Sequence, residues 1–246
     1  MIPKKIHYCW FGGKPLNKLG RKCLKSWKKF FPDYEIIEWN EQNFDLENCC
    51  EYVKQAYKAK KWAFVSDYVR FKVLYEQGGV YFDTDVEVIK TFDDILEKGA
   101  FMGCENPTDT KMAVAPGLGF AVEKGNAIIK LLLEDYEKSS FYNEDGSLNL
   151  YTVVDRATDI LKKYGLQNTK DIQVVEGITI YPNEYFCPIN METGKMEKTE
   201  NTRSIHRYSA SWESPKARMR GKIYFILVKI FGVKFAEKVR GKLRGK

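Results

Sequence analysis

The sequence predicts an α/β protein with a mostly parallel sheet, and three observations carry that expectation. Short apolar runs alternate with helical stretches from Lys5 to His206. A long apolar helix stops at the pair Gly78-Gly79. A strand then leads straight into Asp83-Thr84-Asp85, and the ends of strands are where α/β sheets hold their ligands.

Taken in order, Lys5–Trp10 reads as the first strand, followed by the turn Phe11-Gly12-Gly13-Lys14-Pro15. Leu19–Phe31 has helical spacing and is stopped by Pro32. Tyr34–Trp39 is a second strand. A helical region ends in Lys61–Gln77, with Gly78 as its cap. Val80–Phe82 and Val86–Ile89 are strands flanking the aspartates. Phe101–Cys104 and Leu118–Val122 are further short strands, and Ala127–Tyr136 and Tyr151–Lys163 are helices. Ile178–Tyr181 is a strand ended by Pro182, and Arg203–His206 is another. No repeat or linker interrupts the chain before about Ser214. The expected division is therefore one domain over residues 1–214 and a tail over 215–246.

Composition narrows the function classes. With 246 residues the chain can bury about three quarters of its unfolded surface. The six cysteines form no Cys-x-x-Cys and there are only two histidines, which argues against a zinc site. No apolar leader opens the sequence at Met1, so the expectation is a cytoplasmic protein with reduced thiols. The net charge of +7 is uneven. Lys216 to Lys246 holds eleven Lys/Arg and one acid, a net of +10, which leaves 29 bases against 32 acids in the rest. A slightly acidic body argues against nucleic acid as a partner and points to a local electrostatic device at the C-terminus.

Several residues carry chemistry. In an extended chain Asp83 and Asp85 would point to the same side. Two adjacent carboxylates repel unless a cation sits between them, and a hard divalent ion bridging to a diphosphate is the natural occupant. A calcium loop starting at Asp83 fails, because Val88 stands where that loop needs glycine and Asp94 where it needs glutamate. Asp67 and Arg70 lie three apart and share a helix face. A surface ion pair is the plain alternative, but Phe64, Val65, Tyr68, Val69, Phe71, Val73 and Leu74 mark a buried helix, where such a pair lines a pocket. His206 is either a structural histidine or the third ligand of a metal that accepts nitrogen and oxygen together, as Mn²⁺ does. Trp10 ends the first strand, as a core or rim aromatic or as a platform for a base. Glu105, Asp109 and Glu123 lie between strands and are candidate acceptor-side carboxylates by location.

Three motifs resemble one family. Ile2-Pro3-Lys4-Lys5-Ile6-His7-Tyr8-Cys9-Trp10-Phe11-Gly12 resembles the opening of the sugar-binding-region DXD glycosyltransferases, glycosyltransferase family 32. Ser66-Asp67-x-x-Arg70 with Gly78-Gly79-Val80-Tyr81-x-Asp83-x-Asp85 resembles the central signature of that family, which includes capsular-polysaccharide and α-1,6-mannosyltransferase-like members. His206-x-x-x-x-Ser211-Trp212 resembles its C-terminal signature. The resemblance implies a GT-A fold, a Rossmann-like mixed sheet flanked by helices. It also implies a nucleotide-sugar donor, Mn²⁺ or Mg²⁺, a glycan acceptor and retention of anomeric configuration. Trp10 would then stack on the base, and Asp67 and Arg70 would hold the donor sugar. Tyr81 would line the donor site, and Asp83 would contact ribose or metal-bound water. Asp85 and His206 would bind the metal, and Ser211 and Trp212 the diphosphate. The expected role is synthesis of a bacterial capsular or other surface glycan, with a UDP-sugar ahead of a GDP-sugar. Two rivals remain: a haloacid-dehalogenase-like phosphoryl-transfer enzyme, which also opens on a strand ending Asp-x-Asp, and a non-catalytic sugar-binding protein.

The tail mixes its bases with Ile223-Tyr224-Phe225-Ile226-Leu227-Val228, Ile230, Phe231, Val233 and Phe235. Lys229 and Lys234 interrupt it, so no run approaches the ~20 residues that span a bilayer. A basic amphipathic helix lying on an anionic membrane fits this pattern, with the enzyme peripheral at the inner face of the cell membrane and a lipid-linked acceptor within reach. The competing reading is a last helix that packs on the body.

Overall fold

The structure, a computed structural model, describes residues 1–108, 111–190, 193 and 195–209, and in the C-terminal segment 219–221, 223, 224, 226–228, 232, 235, 238 and 239. Its main sheet has the strands β1 (Lys5–Cys9), β2 (Glu35–Trp39), β3 (Gly79–Tyr81), β5 (Phe101–Thr108), β6 (Lys111–Val114), β7 (Phe120–Val122), β8 (Gln173–Val175) and β9 (Ile178–Tyr181). The order is β2-β1-β3-β7-β5-β9-β8, with β6 paired to β5. A separate antiparallel ribbon joins β4 (Val86–Val88) to β10 (Ser204–His206). The helices are α1 (Lys18–Phe30), α2 (Glu51–Lys58), α3 (Trp62–Gln77), α4 (Asp93–Leu96), α5 (Ala127–Glu137), α6 (Val153–Lys163) and α7 (Asn183–Phe186).

The sheet is mixed, which corrects the mostly parallel expectation. β1 runs parallel to β2 and β3, and β5 runs parallel to β9. β7 is antiparallel to both β3 and β5. The cause lies in the connections. β6 begins three residues after β5 ends and pairs antiparallel with it, and a 3₁₀ turn at Pro116–Leu118 leads on to β7. A parallel return needs a crossover of a dozen or more residues, usually a helix, and none stands there.

Side-chain alternation splits the core into two layers. Ile6, Tyr8, Val80, Phe82, Phe101 and Ala121 face one side, where α1 contributes Cys23 and Trp27 and α7 contributes Phe186. Cys9, Tyr81, Met102, Phe120, Val122 and Ile180 face the other side, under α2, α3, α5 and α6. α3 is buried on most of its circumference, including Arg70. It ends at Gly78 with φ 66°, and Gly79 follows at φ 113°. Both lie in the left-handed region where glycine is least costly, and a Cβ on Gly79 would press on the carbonyl of Lys5. This pair turns the chain from α3 directly into the central strand. His7 sits beneath the turn. Trp39 Nε1 donates to His7 Nδ1 at 3.0 Å, so Nε2 carries the proton and donates to the Gly78 carbonyl at 3.0 Å. Burial holds the His7 pKa down at about 4, which keeps this ring neutral and structural.

The ribbon is tied to the body from two sides. Trp27 Nε1 donates to the Val86 carbonyl at 2.8 Å, and the Val88 amide donates to Ser26 Oγ at 3.0 Å. Just before the far strand, Arg203 Nη2 donates to Asp94 Oδ2 at 2.7 Å. β4 is thus held by α1 along one edge and by β10 along the other.

Candidate active site

The site forms where β1, β3 and β5 end together. Their registers place Tyr81 beside His7 and, across β7, level with Met102. The chain leaving β3 does not stay extended, as the spacing of the aspartates had suggested. Residues 84 and 85 form a turn, closed by the Val86 amide donating to the Asp83 carbonyl at 3.0 Å. The turn, rather than strand alternation, brings the two carboxylates to one place.

His206 arrives from the opposite direction. It is the last residue of β10 and stands opposite Val86, one residue from Asp85. Its Nε2 lies 3.0 Å from Asp85 Oδ1. The Ser209 amide donates to Asp85 Oδ2 at 2.8 Å, and the Arg207 amide donates to the Asp85 carbonyl at 3.0 Å. One ligand atom from each of Asp83, Asp85 and His206 falls within 4.8 Å of the others. Two carboxylates and an imidazole at that spacing suit Mn²⁺, and with less preference Mg²⁺.

The second half of the site is Arg70. Its Nη2 lies 2.7 Å from Asp67 Oδ1 and 3.2 Å from Asp83 Oδ1, and its Nε donates to the Ser66 carbonyl at 3.2 Å. The guanidinium also lies 4.9 Å from the centre of the Tyr81 ring. Tyr81 in turn donates its hydroxyl to Asp83 Oδ1 at 3.0 Å. Arg70 therefore bridges the helix to the aspartate turn. Gly117 closes the wall, since a Cβ there would run into the Asp83 carboxylate and touch Arg70 Nη1.

The electrostatics follow from burial and sign. Burial pushes the Asp67 carboxyl up to about 6 against the pull of Arg70. Burial also raises Asp83, with Arg70 opposing and Asp85 adding to the rise. Burial works on Asp85 too, but His206 and the Ser209 amide outweigh it and hold this carboxyl well below its ordinary range. For His206, burial favours the neutral ring, yet the Asp85 carboxylate wins and raises the pKa. The cluster holds three carboxylates and one guanidinium, so with a neutral imidazole it carries an excess of negative charge that a divalent cation would balance.

Residues 18–102 match the family described as glycosyltransferase sugar-binding region containing DXD motif. Over that stretch the chain is similar to the DXD glycosyltransferases. It is 27% identical over 146 residues to inositol phosphoceramide mannosyltransferase 3 of Schizosaccharomyces pombe, covering 57% of this chain and 38% of that protein. It is 33% identical over 110 residues to an uncharacterized glycosyltransferase of Acanthamoeba polyphaga mimivirus, covering 41% and 42%. The chain thus spans about two fifths of the length of the curated relatives it matches. Among solved structures, the PaToxG glycosyltransferase is similar with a TM-score of 0.50 at 22% identity, over 66% of this chain and 69% of that one. The fold is of GT-A type, a central mixed sheet flanked by helices.

The sequence-derived candidates divide cleanly. Asp67, Arg70, Tyr81, Asp83, Asp85 and His206 converge. Trp10 stands at the same end of the sheet, half-buried at the rim, with its Nε1 donating to the Lys14 carbonyl at 2.5 Å. Ser211, Trp212 and Asp109 lie outside the described residues. Glu105 lies at the site end of β5, where its carboxylate accepts from Tyr208 at 2.9 Å. Glu123 does not join them. β7 runs antiparallel to β3, so Glu123 emerges at the opposite edge of the sheet and pairs with the N-terminal amine at 3.5 Å. Gly117, the backbone turn at Tyr208 and the main-chain amide of Ser209 were not anticipated.

Proposed function

We propose that this chain is a metal-dependent, retaining glycosyltransferase that moves a hexosyl group from a nucleotide-diphosphate sugar to a glycan acceptor. The convergence of Asp83, Asp85 and His206 beside the Asp67–Arg70 pair carries the reading. Asp85 and His206 would hold Mn²⁺ or Mg²⁺, with Asp83 as a ligand directly or through a water. The ion supplies charge neutralisation for the departing diphosphate. Asp67 and Arg70 bind the donor sugar. Asp67 uses Oδ1 for Arg70, which leaves its other oxygen for a sugar hydroxyl. Arg70 is fixed by two carboxylates and a carbonyl, so it meets the donor already ordered. Tyr81 orients Asp83. Trp10 stacks on the base, and Ser211 and Trp212 contact the diphosphate.

The donor we favour is a UDP-sugar. A mannosyl donor belongs in any screen, because one relative is named as a mannosyltransferase. The proposed setting is a bacterial capsular or other surface polysaccharide. There, a body over residues 1–214 works in the cytoplasm while the basic segment 215–246 rests on the anionic inner face of the membrane. No helix among the described residues is long and apolar enough to cross a membrane. The deciding experiment is a hydrolysis screen over UDP-, GDP- and other nucleotide-sugars with Mn²⁺, Mg²⁺ or EDTA. We expect one donor to be turned over with metal and none with EDTA. Full turnover in chelator would overturn the metal, and hydrolysis of an aryl phosphate in place of any nucleotide-sugar would overturn glycosyl transfer.

A further inference from the structure

His206 is oriented in an unusual way. A metal-binding imidazole ordinarily donates its second N–H to a carbonyl or carboxylate, which fixes the ring. His206 Nδ1 is buried and has no hydrogen-bond partner among the described residues. The ring is steered instead by Tyr208, whose ring centre lies 4.1 Å away at an angle of 56°.

Tyr208 reaches that position at φ 43°, in the left-handed region where an aromatic residue is rare. The turn this makes sends the chain back on itself. It lets residues 206–209 wrap Asp85, with the imidazole on Oδ1 and the Ser209 amide on Oδ2. Such a conformation persists only where its surroundings hold it. Here the hold is on the hydroxyl. Tyr208 donates to Glu105 Oε2 at 2.9 Å, and Cys187 Sγ lies 2.9 Å from the Tyr208 hydroxyl oxygen. The carboxylate is the stronger acceptor of the two. Glu105 comes from β5 and Tyr208 from the segment after β10, so this one bond fastens the wrap to the main sheet.

The geometry points to Glu105 as a positioning residue that, through Tyr208, fixes His206 and the Ser209 amide around Asp85. The inference rests on the proposed reading of Asp85 and His206 as metal donors, and it assigns Glu105 to the metal side rather than to the acceptor.

The test uses the full chain and the variants Tyr208→Phe, Glu105→Ala and Glu105→Gln. Mn²⁺ binding is read by electron paramagnetic resonance of the free ion. The His206 imidazole resonances are read by NMR on the metal-free protein, where His7 is the only other histidine and reports the integrity of the fold. Tyr208→Phe keeps the ring and removes the hydroxyl; Glu105→Ala removes the acceptor. Each should weaken Mn²⁺ binding roughly 10–100-fold and shift the His206 signals while those of His7 stay in place. Combining the two should cost no more than the worse one alone, since both break the same bond. Glu105→Gln still offers an amide oxygen and should recover most of the affinity. Wild-type affinity with unshifted His206 signals in Tyr208→Phe overturns the inference, as does a Gln variant as weak as the Ala one. If the wild type itself binds no Mn²⁺, the metal reading falls, and the His206 signals of the metal-free variants still decide whether Glu105 and Tyr208 set the ring.

Discussion

His206 Nε2 and Asp85 Oδ1 lie 3.0 Å apart although 121 residues separate them in the chain. The antiparallel ladder of β4 and β10 makes that contact, with His206 opposite Val86. The pair is held at the backbone before any ion is bound. In the metal-free protein the imidazole and the carboxylate satisfy each other, and the same atoms are the ones offered to a cation.

That pairing sets a pH dependence. The His206 pKa is raised above its ordinary 6.5, so the imidazolium contributes stability below about pH 6.5 and loses it as pH rises through the folded value. Asp85 is held below its ordinary 3.8, so its contribution is present above that and is lost only as pH falls through the lowered value. The metal-free protein should therefore lose melting temperature from about pH 6.5 upward, and His206→Gln should lose less over the same interval. Mn²⁺ should stabilise more at the upper end, where the ring no longer holds a proton. Parallel profiles for wild type and His206→Gln would show that the contact does not carry the charge assigned to it.

Gly117→Ala tests the wall of the site. The backbone there is ordinary for an alanine, and the obstacle is the Asp83 carboxylate that the new methyl would displace. A shift of about 1 Å at a positioned group costs roughly 100-fold in rate. We expect kcat/KM for the donor to fall by about that factor. Melting temperature should change little, because the carboxylate can swing toward solvent. Unchanged kinetics would mean that Asp83 is not held by this contact.

Arg70→Lys separates charge from shape. Lysine keeps the positive charge but has no planar fork to serve Asp67, Asp83 and the Ser66 carbonyl together. Arg70 is buried, so leaving one acceptor unpaired should cost about 1–3 kcal/mol of stability. Donor kcat/KM should drop at least ~100-fold. Chemical denaturation and steady-state kinetics on the same preparation check both, and a variant that loses neither reduces the pair to a surface bridge.

The legible parts of this molecule are those written in residue type and spacing. The glycine pair, Asp67 and Arg70 on one helix face, the two aspartates and His206 all announced themselves. Other features leave no such trace. Ser209 acts through its main-chain amide, Tyr208 through a backbone conformation and Gly117 through the side chain it lacks. The turn at Asp83 replaces the extended segment that an i, i+2 spacing suggests. Strand direction was hidden because alternation cannot tell a hairpin and a short turn from a crossover, and that direction is what carried Glu123 to the wrong edge.

The last prediction concerns the C-terminal segment. Met219, Ile223 and Ile226 are helical and exposed, at 59%, 47% and 54%. Their sequence spacing of four and three residues is the spacing that lines up side chains along a helix. Val228, also helical, is 6% exposed. Among the described residues of this segment Val228 is buried while Met219, Ile223 and Ile226 face water, and the sequence from Lys216 to Lys246 carries a net of +10. Basic residues beside an anionic leaflet contribute about 1 kcal/mol each, and an apolar stripe adds burial in the interface. We expect the full chain to co-sediment with anionic vesicles at low salt and to ignore neutral ones. A truncation after Ser214 should lose this binding. It should still hydrolyse a free donor, since Asp67, Arg70, Asp83, Asp85 and His206 all precede the cut, while transfer to a vesicle-embedded acceptor falls. Replacing Ile223 and Ile226 with serine should weaken vesicle binding without changing charge. If only charge mattered, that double variant would bind like the wild type, and the stripe would have to be assigned to packing on the body instead.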